Sequence, residues 1–203
     1  MPAGGVLMLG SPLALQRSTL DLSGGSLSLG TLTASTLGGL GGGPLGLTNG
    51  SQAAVALTVG GNAAATTYGG TLSGPRSLTK TGSGTFWLTG ASNYSGPTTL
   101  AAGGLVVDGV LYVSAVTVQS GGTLGGTGSL SSVTVSPSGQ IAPGDPLGAL
   151  SNCTTTTLAE FFASAQAPQR RSGKALRAIA PARGAAHAGK NRFCRLTWNQ
   201  KYV

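Results

Sequence analysis

An all-β solenoid is the fold class this sequence predicts. Three features of residues 1–150 predict it: alternating apolar and small polar stretches, glycine-rich turn signals between them, and an internal repeat. Leu20 and Leu22, Leu27 and Leu29, then Ala53, Val55, Leu57 and Val59 are each separated by Thr, Ser or another small residue. The spacing returns at Phe86 and Leu88, Leu105 and Val107, Leu111 and Val113, Val116 and Val118, and Val133 and Val135. A period of two sends successive side chains to opposite faces of a strand.

Between these stretches stand Ser23-Gly24-Gly25, Asn49-Gly50, Gly60-Gly61-Asn62, Gly69-Gly70, Ser95-Gly96-Pro97, Asp108-Gly109 and Ser120-Gly121-Gly122. Gly and Asn turn the chain because they accept positive φ at low cost. Strands this short and this closely spaced leave no room for helical crossovers, so the choice narrows to a sandwich, a barrel or a solenoid. The repeat decides among them: Gly-Gly-Thr/Ser-Leu occurs at 24–27, 69–72 and 121–124, with a truncated Gly-Gly-Leu at 103–105. Coils of roughly 20 residues, each burying its inward Leu and Val against the next, would number about seven and form a body roughly 30 Å long. Residues 36–44, mostly glycine, read instead as locally disordered.

Composition divides the chain near residue 150. Residues 1–17 read as a lead-in, 18–150 as the solenoid and 151–203 as a basic tail. The first 150 residues balance Arg17, Arg76 and Lys80 against Asp21, Asp108 and Asp145, so the net charge of +8 belongs to the tail. No specific nucleic-acid partner is therefore expected for the solenoid. In the tail, Thr157 as N-cap with Glu160 three residues on predicts a short helix over 158–167, followed by a disordered basic arm. Three readings stand for that arm: a frameshifted or truncated reading frame, a solvated tail, or a segment that binds nucleic acid or anionic lipid. Cys153 and Cys194 match no metal-ligand spacing. The N-terminus lacks the basic residues of a convincing signal peptide.

One stretch carries a more specific pattern. Leu78-Thr79-Lys80-Thr81-Gly82-Ser83-Gly84-Thr85-Phe86-Trp87-Leu88-Thr89-Gly90 continues through Ala91-Ser92-Asn93-Tyr94-Ser95-Gly96-Pro97-Thr98-Thr99-Leu100 to Gly103-Gly104-Leu105. It resembles the autotransporter-associated β-strand repeat. The motif rests on Leu78, Thr79, Lys80, Gly82, Gly84, Leu88, Gly90, Asn93, Tyr94, Gly96, Thr98, Thr99 and Leu100. The stretches at 121–130 and 141–150 look like the usual neighbours of that repeat. Two departures stand out: Phe86-Trp87 replaces small or aliphatic strand residues, with room for one ring inward and one outward, and Pro97 replaces a turn glycine. The resemblance implies a right-handed parallel β-helix in a secreted or surface-displayed passenger, a non-catalytic scaffold that assists folding and export. It implies no cofactor, an outer-membrane translocator that 53 tail residues cannot supply, and self-association through open coil ends. Host-surface or matrix glycans or proteins are the partners it suggests.

The residues themselves point away from catalysis. Residues 1–150 hold three scattered Asp, no Glu and no His, whereas glycan cleavage needs converging acids. Asp108 and Asp145 lie in turn sequences, and the single histidine, His187, is in the tail. Gly41-Gly42-Gly43-Pro44-Leu45-Gly46 matches a dinucleotide fingerprint only formally, because Pro44 and the absence of a following helix remove its context. The Gly-Gly turns also lack the Asp of calcium-binding solenoid repeats. The alternative to a scaffold is a carbohydrate-binding or adhesive module in which exposed rings of Trp87, Tyr94 and Tyr112 stack on sugars; a carbohydrate-active enzyme using Asp108 or Asp145 ranks behind it.

Overall fold

A computed structural model describes residues 4–143, together with the backbone of three short strands at 154–155, 176–178 and 196–198. The helix expected over 158–167, both cysteines, Asp145 and His187 lie outside the described residues. In chain order the strands are β1 (Gly5–Met8), β2 (Leu15–Asp21), β3 (Gly25–Ser28), β4 (Ala34–Gly41), β5 (Leu45–Gly46), β6 (Ala56–Val59), β7 (Thr66–Tyr68), β8 (Leu72–Ser73), β9 (Leu78–Lys80) and β10 (Thr85–Leu88). They continue with β11 (Ala91–Ser92), β12 (Thr98–Leu100), β13 (Gly103–Val107), β14 (Val110–Val118), β15 (Gly122–Gly126), β16 (Ser129–Val135), β17 (Gln140–Pro143) and β18 (Thr154–Thr155), then β19 (Leu176–Ala178) paired with β20 (Leu196–Trp198).

The chain winds as a parallel β-solenoid with three faces. On the first face β2, β4, β6, β9, β12, β14, β16 and β18 lie side by side, and on the second β7, β10, β13, β15 and β17 do the same. The third face is shorter: β5 pairs with β8, and β11 pairs with the beginning of β14. Partners along the first face run Leu15, Leu37, Val59, Lys80, Leu100, Val118 and Val135, in steps of 22, 22, 21, 20, 18 and 17 residues. These seven rungs match the coil number and coil length that the sequence predicts, and the coils shorten along the axis.

Alternation within each strand builds the core. Leu57, Val59, Leu78, Leu88, Leu100, Leu105, Val107, Leu124 and Val133 all point inward and form one continuous apolar column with Leu20, Leu37, Leu40 and Phe86. Each coil buries this column only against its neighbours, so stability accumulates by nearest-neighbour terms. Phe86 is buried while Trp87 lies outward and half-buried, the arrangement expected for an adjacent aromatic pair.

Residues 36–44 correct an expectation. Much of the run forms β4, whose residues from Leu37 to Leu40 are buried. The backbone of the preceding coil lies so near that a Cβ on Gly38 would stand 2.6 Å from the Ser18 nitrogen. Glycine there marks close packing of chain on chain, and compositional reasoning mistook it for disorder.

The Gly-Gly motif also changes meaning. Gly103 pairs with Gly122 and Leu105 with Leu124, so these two copies occupy equivalent places in consecutive coils. The copy at 69–72 instead leads round a corner into β8 on the third face. The motif marks a local turn into a strand and not a coil phase, which explains its irregular spacing.

Candidate functional site

The residues that carry the repeat motif make one full coil, β9 to β12, and the second-face strand β13 that follows. Leu78 and Lys80 point inward and Thr79 outward, as do Thr98, Leu100 and Thr99 one coil later. Gly82 turns the chain from the first face to the second with φ +68°, and a Cβ there would lie 2.1 Å from the Gly60 oxygen. Gly84 precedes β10, Leu88 ends it buried, and Gly90 opens the third face. Asn93 is exposed and donates its N–H to the Leu72 oxygen at 3.0 Å, while Gly96 is buried in the corner before β12.

Gly90 belongs to a stack. A Cβ on Gly70 would lie 2.3 Å from the Gly43 oxygen, on Gly90 2.3 Å from the Gly70 oxygen, on Gly109 2.1 Å from the Gly90 oxygen, and on Gly128 2.1 Å from the Gly109 oxygen. Five successive coils therefore touch backbone to backbone at the corner between the second and third faces.

Two polar groups sit in the core of this coil. Lys80 is 1% exposed, and its Nζ donates to the carbonyl oxygens of Thr81 at 2.5 Å, Gly82 at 3.0 Å and Ala102 at 3.4 Å. These acceptors lie in two consecutive coils, and among the described residues the cation has no carboxylate partner. Loss of hydration on burial holds its pKa below the usual lysine value.

Tyr94 heads the second feature. Its hydroxyl hydrogen-bonds to Thr98 Oγ1, which bonds to Ser114 Oγ at 2.6 Å, and Ser114 Oγ donates to the Gly96 oxygen at 2.7 Å. Because the Ser114 proton goes to a carbonyl, the chain is ordered: Tyr94 donates to Thr98 and Thr98 to Ser114. The network joins the corner at residues 93–98 to the bulge in β14, where register shifts between Leu111 and Ala115. Burial raises the Tyr94 pKa.

Tyr68 donates its hydroxyl to the Thr71 oxygen at 3.2 Å, and burial pushes its pKa up to about 12. The native state thus keeps a proton that the unfolded chain releases near the ordinary value of 10.0. Stability contributed by Tyr68 is complete below that value and is lost as pH rises through about 12. Tyr94 acts in the same sense. Urea midpoints measured from pH 9 to 12 are expected to fall for the wild type, and less steeply for Tyr68→Phe; equal slopes would refute the assignment.

The aromatic platform expected for sugars is not assembled. Tyr94 is fully buried, a correction caused by its place in the corner network. Trp87 lies on the second face between Thr67 and Val106, beside an open groove of about 370 Å³ lined by Thr85, Val106, Thr123 and Ala142 over Gly104 and Gly125. Tyr112, 65% exposed, stands on the β14 bulge between the third and first faces. The two outward rings therefore occupy different faces.

Acid chemistry is equally dispersed. Asp108 Oδ1 accepts from the Thr127 N–H at 3.1 Å and from Thr127 Oγ1 at 3.2 Å, bridging two coils as a turn residue. Asp21 caps its own turn by accepting from the Ser23 N–H at 2.9 Å, which lowers its pKa. Among the described residues no three His, Cys, Asp or Glu side chains gather as a metal site, and no helix is long and apolar enough to cross a membrane.

What the sequence reading missed is a row on the outside of the first face. Thr36, Thr58, Thr79, Thr99, Thr117 and Thr134 are register partners of one another. The signal was present, since each sits between two inward residues in triplets such as Leu57-Thr58-Val59 and Val116-Thr117-Val118. Their changing separation hid it.

Comparison with known proteins agrees with this architecture. The passenger-associated-transport-repeat family matches residues 78–107. An extracellular serine protease of Serratia marcescens is 40% identical over 72 residues, covering 36% of this chain and 7% of that protein. The adhesin BmaC autotransporter of Brucella suis biovar 1 (strain 1330) is 45% identical over 69 residues, covering 32% of this chain and 2% of that protein. The chain thus spans less than a tenth of either relative's length. No solved structure matches it. The matched family, the similarity to an autotransporter adhesin and the parallel coils agree: residues 78–107 are a passenger-associated transport repeat, set in a β-solenoid segment of autotransporter passenger type.

Proposed function

We propose that the chain is a non-catalytic scaffold of a secreted or surface-displayed passenger, whose repeat coil helps the stack fold in register during export. The observation that carries this reading is the polar linkage of the repeat coil. Lys80 ties turns in two consecutive coils, and the Tyr94 network ties a corner to the bulge above it. Apolar rows alone tolerate slippage of one strand past another, whereas buried polar groups are satisfied in one register only. First-face partners lie about 20 residues apart, so a coil can pair once one further coil has emerged. The activities of the protease and adhesin relatives belong to those much longer proteins.

The test is surface display of the chain joined to an outer-membrane translocator. Deleting residues 38–59 or residues 81–100 removes one whole coil and preserves register in each case. Removing 38–59 is expected to leave display near wild type, and removing the repeat coil 81–100 to lower it severalfold. Equal display from the two deletions would count against a special role for the repeat.

A further inference from the structure

The threonine row on the first face presents hydroxyls away from the core, and a role for it goes beyond the scaffold role. Each of the six threonines is half-buried and flanked in its strand by buried residues, so all six project outward in one line. Among the described residues none of their hydroxyls has a protein partner, although those of Thr81, Thr89, Thr98 and Thr127 do. At about 4.8 Å per rung the row is about 24 Å long. The outward positions beside it are Ala34, Ala56, Ser77, Pro97, Ala115 and Ser132, all small or compact and none charged, so the hydroxyls stand unscreened.

We propose that this row is a binding track for an extended, neutral polysaccharide lying along the solenoid axis, with its hydroxyls paired to the threonines rung by rung. One hydrogen bond to a neutral hydroxyl contributes about 0.5–1.5 kcal/mol. A single sugar would gain little, and only a ligand in step with the rungs uses the whole row. An extended chain of hexoses advances by close to one rung per sugar.

Other occupants fit less well. An extended peptide presents one side of its chain every ~6.6 Å, out of step with the rungs. It also finds no free sheet edge along the row, because the six strands that carry it, β4, β6, β9, β12, β14 and β16, each lie between parallel partners. A nucleic acid requires a run of cations for its phosphates, whereas neither the row nor the ladder beside it carries one, and Arg17 and Arg76 are single exposed charges off both. An ice plane repeats in two dimensions, while the ladder beside the threonines mixes Ala, Ser and Pro.

The test uses the full chain mixed with suspensions of crystalline cellulose and of chitin, with bound protein read from depletion of the supernatant. The variant carries Thr58→Val, Thr79→Val, Thr99→Val and Thr117→Val. Valine keeps the shape and the strand preference and exchanges each hydroxyl for a methyl, which can neither donate nor accept. The wild type is expected to be depleted by at least one polymer. The variant is expected to bind at least tenfold more weakly, with circular dichroism and melting temperature unchanged. No depletion by either polymer, or equal binding by the variant, would overturn the assignment. Inhibition of ice recrystallisation without polymer binding would overturn it too, because the track would then read a crystal plane.

Discussion

Gly90→Ala is expected to destabilise the solenoid by about 3 kcal/mol, at the upper end of overpacking costs. The added methyl would meet the Gly70 oxygen at 2.3 Å, the Gly69 oxygen at 2.5 Å and the Gly69 carbonyl carbon at 3.0 Å. All three are backbone atoms of the preceding coil, so no side-chain rotation relieves the contact. The coil must shift along the axis, and its shift disturbs the rungs on either side of Gly90, where Gly109 already leans on the Gly90 oxygen. For a chain of this size the loss lowers the melting temperature by roughly 6–12 °C. Gly10→Ala is the matched control: a Cβ there meets nothing within 4 Å, and its expected effect is within about 0.5 kcal/mol. Thermal melts followed at the strand band of the circular dichroism spectrum compare the two directly. Equal melting temperatures would show that the glycine stack does not constrain the coil spacing.

The contrast between these two glycines also shows how far the sequence could be read. Strand alternation was legible because burial imposes it locally: Phe86 in and Trp87 out follows from the period of two, and the coil number follows from the density of turn signals. Long-range register was not legible. The steps between rungs contract from 22 to 17 residues, so no fixed period exposes which threonines align. Tyr94 was misplaced for a related reason. Residues 91–98 alternate exposed and buried, which places Tyr94 inward, but the partners that satisfy its hydroxyl end at Ser114 in the next coil, a long-range pairing that the local sequence does not show. Residues 36–44 failed because glycine has two opposite uses, flexibility in solvent and closest approach in a packed stack, and composition does not separate them. Lys80 shows a chemical prior overruling a geometric signal. Leu78 is inward, so the period of two already placed Lys80 inward, yet a lysine reads as a surface residue until its carbonyl acceptors are visible.

That buried lysine supports the second large prediction. Lys80 stands in the inward row between Val59 and Leu100, with its stem in the core and its ammonium against three carbonyls. Lys80→Ala removes the stem and strands those carbonyls beside a cavity, an expected loss of about 3–4 kcal/mol. Lys80→Met fills nearly the same volume and abolishes the desolvated charge. The same three carbonyls lose their donor, so an intermediate loss of about 1–2 kcal/mol is expected, smaller than for Lys80→Ala because no cavity forms and no charge is desolvated. The two variants therefore separate packing from charge, which a single substitution cannot do. pH supplies an independent reading. Burial lowers the Lys80 pKa below the ordinary lysine value of 10.5, so between the native and unfolded values the unfolded chain binds more protons. Stability of the wild type relative to Lys80→Met must then rise as pH passes through the lowered native pKa, and level off near the unfolded value. Urea titrations of both proteins from pH 7 to 10.5 test this sign. A difference that stays constant with pH would mean that the ammonium remains hydrated, and the carbonyl cage would lose its place as the polar link between coils.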